Sequence, residues 1–309
     1  MLRYVITCRG GSRIEPKNVL SARLDCELDV PADSLTLTLP FDGRLREADT
    51  VEAYQGETLR FFGQADEVIS VRQGERLVTR VTARSLAALL LDNEAEPLTY
   101  NNPSNKLMFD RHLAPFGITS YDEERHPLYN DLRIDKGMSH WQALEAFCLK
   151  RYGSAPRIEG RRAFLRGYGR EGTVLFGENG VRCLSLNESL RRHRLISEVK
   201  VKFNSANGYS SSVKNANPLC DGVRRVRYVN AAADNVNLDA AWRIIDKGNR
   251  ASYLLRLDCA GARPDLLGMP AVVEDSGLGR IEGLRVTGVK YTMNEKGELT
   301  TVSLRKEQF

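Results

Sequence analysis

Residues 34–40 read Ser34-Leu35-Thr36-Leu37-Thr38-Leu39-Pro40, a hydroxyl-bearing side chain alternating three times with leucine. Successive side chains of a strand point to opposite faces, so this spacing predicts a half-buried β-strand with leucines inward and hydroxyls outward. Pro31-Ala32-Asp33 before it and Phe41-Asp42-Gly43 after it are turn chemistry. Working outward, further strands are expected at 50–55, 58–63, 65–72 and 76–83. Short strands at this cadence predict a small β-barrel or sandwich over residues 1–96, ending in a leucine-rich helix over 86–91 that Ser85 would cap.

The period changes over residues 97–182. Ser104 or Asn105 is placed to cap a helix carrying Phe109, Leu113 and Phe116, with Gly117 at its stop. Ser139 and Gln142 have capping-box spacing ahead of Trp141, Leu144 and Cys148, ending near Gly153. Strands at 157–159 and 163–166, joined through Gly160, complete a small α+β module. Residues 183–309 return to strands, expected at 196–203, 223–229, 252–259, 271–274, 283–293 and 299–306. One helix near 238–247 interrupts them, with Leu238, Ala241, Trp242 and Ile245 on one face, Asn237 as start and Gly248 as stop. Both tryptophans are therefore expected to anchor cores. The Ser- and Asn-rich stretch 205–222 is too polar for a core and is expected as an exposed loop or hairpin extension. The fold class that results is mainly β with an α+β insert, two strand-rich domains at 1–96 and 183–309 flanking the module at 97–182.

With 309 residues, 42% hydrophobic and 28% charged, the composition is that of a globular chain long enough for two or three domains. No apolar run approaches the roughly 20 residues that span a bilayer, and the start lacks a signal peptide's basic and apolar regions, so neither an anchor nor export is expected. Six scattered cysteines, none closely paired, predict buried reduced thiols. The net charge is +5, yet residues 156–228 hold 15 Lys or Arg against 6 Asp or Glu, leaving the remainder at −4. Without interleaved aromatics in the sequence, this reads as a solvated or interface-facing basic surface rather than a nucleic-acid site.

Residues that could carry site chemistry lack the spacing it needs. His112, His126 and His140 stand fourteen apart with Cys148 downstream, whereas zinc ligands on one element sit three to five apart, so these are expected as surface or helix-end histidines. Asp122-Glu123-Glu124 has no second acidic cluster to work with and reads as a solvated loop. Gly277, Gly279 and Gly283 miss the dinucleotide fingerprint and suit a hairpin turn. Gly10-Gly11-Ser12 lacks a P-loop's ending, and no Gly-x-Ser-x-Gly elbow exists. Asn187-Glu188-Ser189 is a glycosylation sequon that is moot without a secretory signal. Catalytic residues, bound metal and cofactors are thus all expected to be none.

The run from Val30 through Asp33-Ser34-Leu35-Thr36-Leu37, then Asp49-Thr50-Val51-Glu52-Ala53-Tyr54, then Leu59-Arg60-Phe61-Phe62-Gly63 with Asp66-Glu67-Val68, resembles the first barrel of baseplate hub proteins of Mu-type contractile-tailed phages. The segments 105–118 and Lys136-Gly137-Met138-Ser139-His140-Trp141 resemble helices of that family's inserted module, and 267–304 resembles its closing strands. The resemblance implies two tube-like barrels per chain and a non-enzymatic homotrimer forming a pseudo-sixfold ring between tail tube and threefold central spike. It further implies as partners the tail tube protein, the central spike protein, other baseplate proteins and the tape measure protein, with DNA only in transit. The place implied is the virion tail baseplate, and the bacterial host cytoplasm during assembly. Two alternatives stand beside this reading: a spike component of a type VI secretion machine, which should carry a long β-helical extension where this sequence stops at Phe309, and a cell-wall-degrading tail enzyme, which needs a carboxylate pair or a metal set in a cleft.

Overall fold

The Ser34–Pro40 strand lies between Ser21–Glu27 and Arg76–Ser85, and its Leu35, Leu37 and Leu39 are buried. In the register, Leu24 and Ala22 oppose Leu35 and Leu37 from one side, and Ala83 and Val81 oppose them from the other. Fully burying a leucine contributes roughly 1.5–3 kcal/mol, so this row alone resists a one-residue slip that would turn it to water. The computed structural model describes residues 1–123, 131–203, 207–230 and 238–307. The fold is mainly β, with several sheets and four α-helices among the described residues.

The chain divides into two compact units. The first comprises 1–171, 259–268 and 287–301; the second comprises 172–258, 269–286 and 302–309. In the first unit the antiparallel neighbours run from the later part of Gly279–Asn294 to Ser21–Glu27, Ser34–Pro40, Arg76–Ser85, Thr58–Gln73, Ala48–Gln55 and Arg3–Cys8. The strands expected at 58–63 and 65–72 are one strand, Thr58–Gln73, whose register shifts between Ala65 and Glu67. A bulge there supplies the irregularity that looked like a break. At its start Gly63 passes so close to Arg84 that a Cβ would lie 2.3 Å from the Arg84 carbonyl oxygen.

Helices α1 (Ala87–Asp92), α2 (Asn105–His112) and α3 (His140–Tyr152) belong to the same unit. Their core gathers Leu90, Met108, Leu113, Ile118, Trp141, Leu144 and Phe147, and Phe62 joins it. Ser104 caps α2 through the Leu107 N–H, and Ser139 with Gln142 forms the full capping box of α3, which ends at Gly153 in the left-handed region. Ser85 does not cap α1. Leu86 occupies that position without a side-chain bond, and the Ser85 hydroxyl accepts from the Asp33 N–H instead.

In the second unit Val174–Phe176 pairs in parallel with Pro270–Asp275, which pairs antiparallel with the start of Gly279–Asn294. A separate three-stranded sheet sets Glu198–Lys202 between Ser211–Lys214 and Val226–Asn230, and α4 (Asp239–Ser252) covers one of its faces. Part of the polar stretch at 205–222 is therefore a paired strand, with Val213 in the core and Asn217 and Cys220 buried. The helix also departs from expectation. Asn237 lies outside the described residues, and α4 runs through Gly248, where a Cβ would meet the Arg194 carbonyl oxygen at 2.9 Å. That glycine serves close packing, not termination. Ala241 and Ile245 are buried as expected, but Trp242 is 49% exposed.

The two tryptophans should therefore separate on mutation. Trp141→Ala should cost about 3–5 kcal/mol of unfolding free energy, and Trp242→Ala should cost no more than about 1 kcal/mol. Urea denaturation followed by circular dichroism checks both.

Candidate functional site

The most constrained place in the first unit is a buried ion pair. Arg157, on the short strand Arg157–Glu159, donates to both carboxylate oxygens of Asp33 at 2.6 and 2.5 Å, and its other terminal nitrogen donates to the carbonyls of Glu27 and Val30. Both side chains are nearly inaccessible, 3% and 6% exposed. Burial raises the Asp33 pKa against the pull of Arg157, and the Asp33 charge keeps Arg157 ionised despite its own burial. Asp33 is held from behind as well, its N–H donating to Ser85 and its carbonyl accepting from the Ser85 N–H.

The same strand anchors the returning chain. Glu159 accepts from Arg170, whose Nε donates to the Leu267 carbonyl, and the Tyr168 hydroxyl donates to Glu159. Arg161 lies 4.0 Å over the Phe62 ring. The cluster thus ties the first sheet, the helical module and 259–268 together by charge-assisted bonds, which are the stronger hydrogen bonds.

The residues singled out by their spacing in the chain fall elsewhere. His112 and His140, 28 residues apart, meet with Nδ1 atoms 3.0 Å apart, and His112 Nε2 lies 3.1 Å from the Tyr100 hydroxyl. Both are helix-end histidines, as expected, and not free surface ones: His112 is the buried last residue of α2, and His140, the first residue of α3, packs edge-on against Phe116. Burial, then the His140 and Arg111 charges, pushes the His112 pKa down to about 4; burial also lowers His140. His126 and Glu124 lie outside the described residues. Asp122 is no free loop carboxylate, because its two oxygens accept from the N–H groups of Leu165 and Arg166. Cys148 is fully buried, which pushes its thiol pKa up. Gly277 lies in a turn where Asp275 accepts from two N–H groups. No group of three or more His, Cys, Asp or Glu among the described residues is arranged to hold a metal ion. A depression of about 540 Å³ in the second unit is lined by Glu178, Arg182, Leu184, Ser185, Glu274 and Asp275, and the Ser185 hydroxyl donates to Asp258 at 2.7 Å.

The larger pattern is a repeated hairpin. Thr58–Gln73 has 16 residues and Arg76–Ser85 has 10, with Gly74 and Glu75 between them. Gly279–Asn294 has 16 residues and Gly297–Lys306 has 10, with Glu295 and Lys296 between them. Each long strand also pairs with the short strand before it through a register shift, Ala48–Gln55 in one case and Pro270–Asp275 in the other. Cys183–Leu190 ends the sheet order, with Leu184 67% and Leu190 58% exposed.

No family model matches the chain, and no curated protein does. Solved structures do. The chain is similar to the tail protein of Neisseria meningitidis MC58, with a TM-score of 0.78 at 17% identity over 99% of this chain and 96% of that one. It is also similar to the 43 kDa tail protein of prophage MuSo2 from Shewanella oneidensis, at a TM-score of 0.75 and 14% identity over 99% and 98%. An E. coli component of the type VI secretion system, described as similar to T4 bacteriophage tail proteins, matches at 0.59 and 12% over 97% and 76%. The chain has the fold of phage tail proteins.

Removing one partner of the buried pair, as in Asp33→Asn, should cost about 3–5 kcal/mol. Replacing both by apolar residues should recover only part of this, since the Glu27 and Val30 carbonyls would lose their donor; chemical denaturation of the three variants checks the cycle. His112 has its own signature. A histidine whose folded pKa is depressed from 6.5 to about 4 contributes stability above pH 6.5 that is lost as pH falls towards 4, a ceiling of roughly 3 kcal/mol. Melting temperature should fall over that window for the native chain and more shallowly for His112→Phe.

Proposed function

We propose that the chain is a structural baseplate hub of a contractile phage tail or phage-like particle, three copies of which close a pseudo-sixfold ring between the tail tube and a threefold spike. The observation that carries this reading is the repeated 16-and-10-residue hairpin within one chain. A sixfold tube can be met by three subunits that each present two similar strand-rich faces, and such a ring leaves true threefold symmetry for the spike. The two tube-like domains are those at 1–96 and 183–309, with the module at 97–182 outside the repeat. The edge strand Cys183–Leu190, with its exposed leucines, suits addition of a neighbour's strand. The fold shared with tail proteins supports a non-enzymatic role in the virion tail.

Native mass spectrometry of the assembled hub should give about 104 kDa, three chains of 34.6 kDa, and negative-stain images should show a ring with a central hole. Six copies in the ring, a stable monomer at assembly concentrations, or turnover of cell-wall substrate would overturn the reading.

A further inference from the structure

The three-stranded sheet of the second unit has one covered face and one open face. Val199, Val201, Val213 and Val229 pack under α4. Strand alternation then places Glu198, Lys200, Lys202, Ser212, Lys214, Tyr228 and Asn230 on the other side. Lys200 stands level with Tyr228 and Lys202 with Asn230 on the neighbouring strand. Tyr228 is 60% exposed and meets Tyr209 edge-on, ring centroids 4.9 Å apart, while the Tyr209 hydroxyl donates to Asn230. The three lysines form no ion pair among the described residues, and Glu198 is the face's one carboxylate.

We propose that this open sheet face binds single-stranded nucleic acid, with the lysines on phosphates and Tyr228 stacking on a base. Lysines two positions apart on a strand stand about 6.6 Å from one another and track an extended backbone. An exposed aromatic ring beside them supplies a stacking platform that tolerates any base. Tyr209 and Tyr228 belong to the basic region of the sequence, 19 residues apart, and folding brings their rings together with Tyr228 level with Lys200. A paired duplex keeps its bases out of reach of such a ring, and its major groove admits a helix or two-stranded ribbon rather than a three-stranded face. An acidic peptide would use the lysines but leave the exposed tyrosine without a role. Nucleic-acid binding at this face does not depend on the ring assembly, and its failure leaves the mass measurement untouched.

Fluorescence anisotropy of a labelled 20-nucleotide oligo(dT), with the full-length protein, tests it. Binding should weaken about 20-fold between 50 and 200 mM salt, the response expected of three phosphate contacts on a single strand. Tyr228→Ala should weaken it about 5- to 150-fold, and Tyr228→Phe should retain it; unchanged circular dichroism melting shows that each variant is folded. Lys200→Ala with Lys202→Ala should flatten the salt dependence. No binding at 50 mM salt, equal or tighter binding of the same sequence as duplex, displacement by polyglutamate at equal charge, or unaltered affinity in Tyr228→Ala would each overturn the proposal.

Discussion

Arg157 and Asp33 are 124 residues apart and share a contact, one guanidinium nitrogen to both carboxylate oxygens, that almost no water reaches. Taking both charges out of water is expensive, and the bonds that the pair makes offset that cost in part, with the buried Arg157 Nε left without a hydrogen-bond partner. Arg157 satisfies the Glu27 and Val30 carbonyls in the turn before the leucine strand, and Asp33 is fixed by Ser85 at the end of the strand's other neighbour. The turn that starts Ser34–Pro40 and the strand that opens the later part of the helical module are therefore one structural element. Moving either would expose a buried charge, which is why the module has a defined seat on the first sheet.

From that seat the rest of the first unit follows. Glu159, two residues on, engages Arg170, which holds the carbonyl of Leu267 in the returning chain. Apolar packing fills the space around these bonds, with Phe62 from the sheet entering the core of Trp141, Leu144 and Phe147. Charge specifies the orientation and hydrophobic burial supplies most of the stability. The two histidines sit within this packing. With Nδ1 atoms 3.0 Å apart, one must donate and one accept, so the contact tolerates a single proton between them and not two.

The repeated hairpin is a constraint of another kind. Two strands of 16 and 10 residues joined by two residues recur with different turn residues, Gly74-Glu75 in one hairpin and Glu295-Lys296 in the other. What recurs is length, turn and bulge, the features that set a sheet's curvature and edge. Side chains inside each copy can diverge as long as they remain apolar and fill the same volume. That accounts for a fold common to tail proteins at identities of 14 and 17%.

Local pattern determined much of the fold. The alternation at 34–40, the capping box at Ser139 and Gln142, and the hairpin glycines act through neighbours a few residues away, and their physics is complete within the segment. The missing dinucleotide fingerprint likewise leaves Gly277 to a hairpin turn, and a turn is where it lies. Tertiary structure alone decided the rest. Trp242 shares the spacing of the buried Ala241 and Ile245, but it lies at the margin of a stripe whose width is set by the sheet beneath it. Gly248 reads as a helix stop, yet it is a contact with Arg194 that only packing creates. The pairings of Asp33 with Arg157, His112 with His140, and Tyr209 with Tyr228 join residues that no local period relates. Each depends on where two separate elements come to rest, a result of burying apolar surface over the whole unit rather than of any one segment's chemistry.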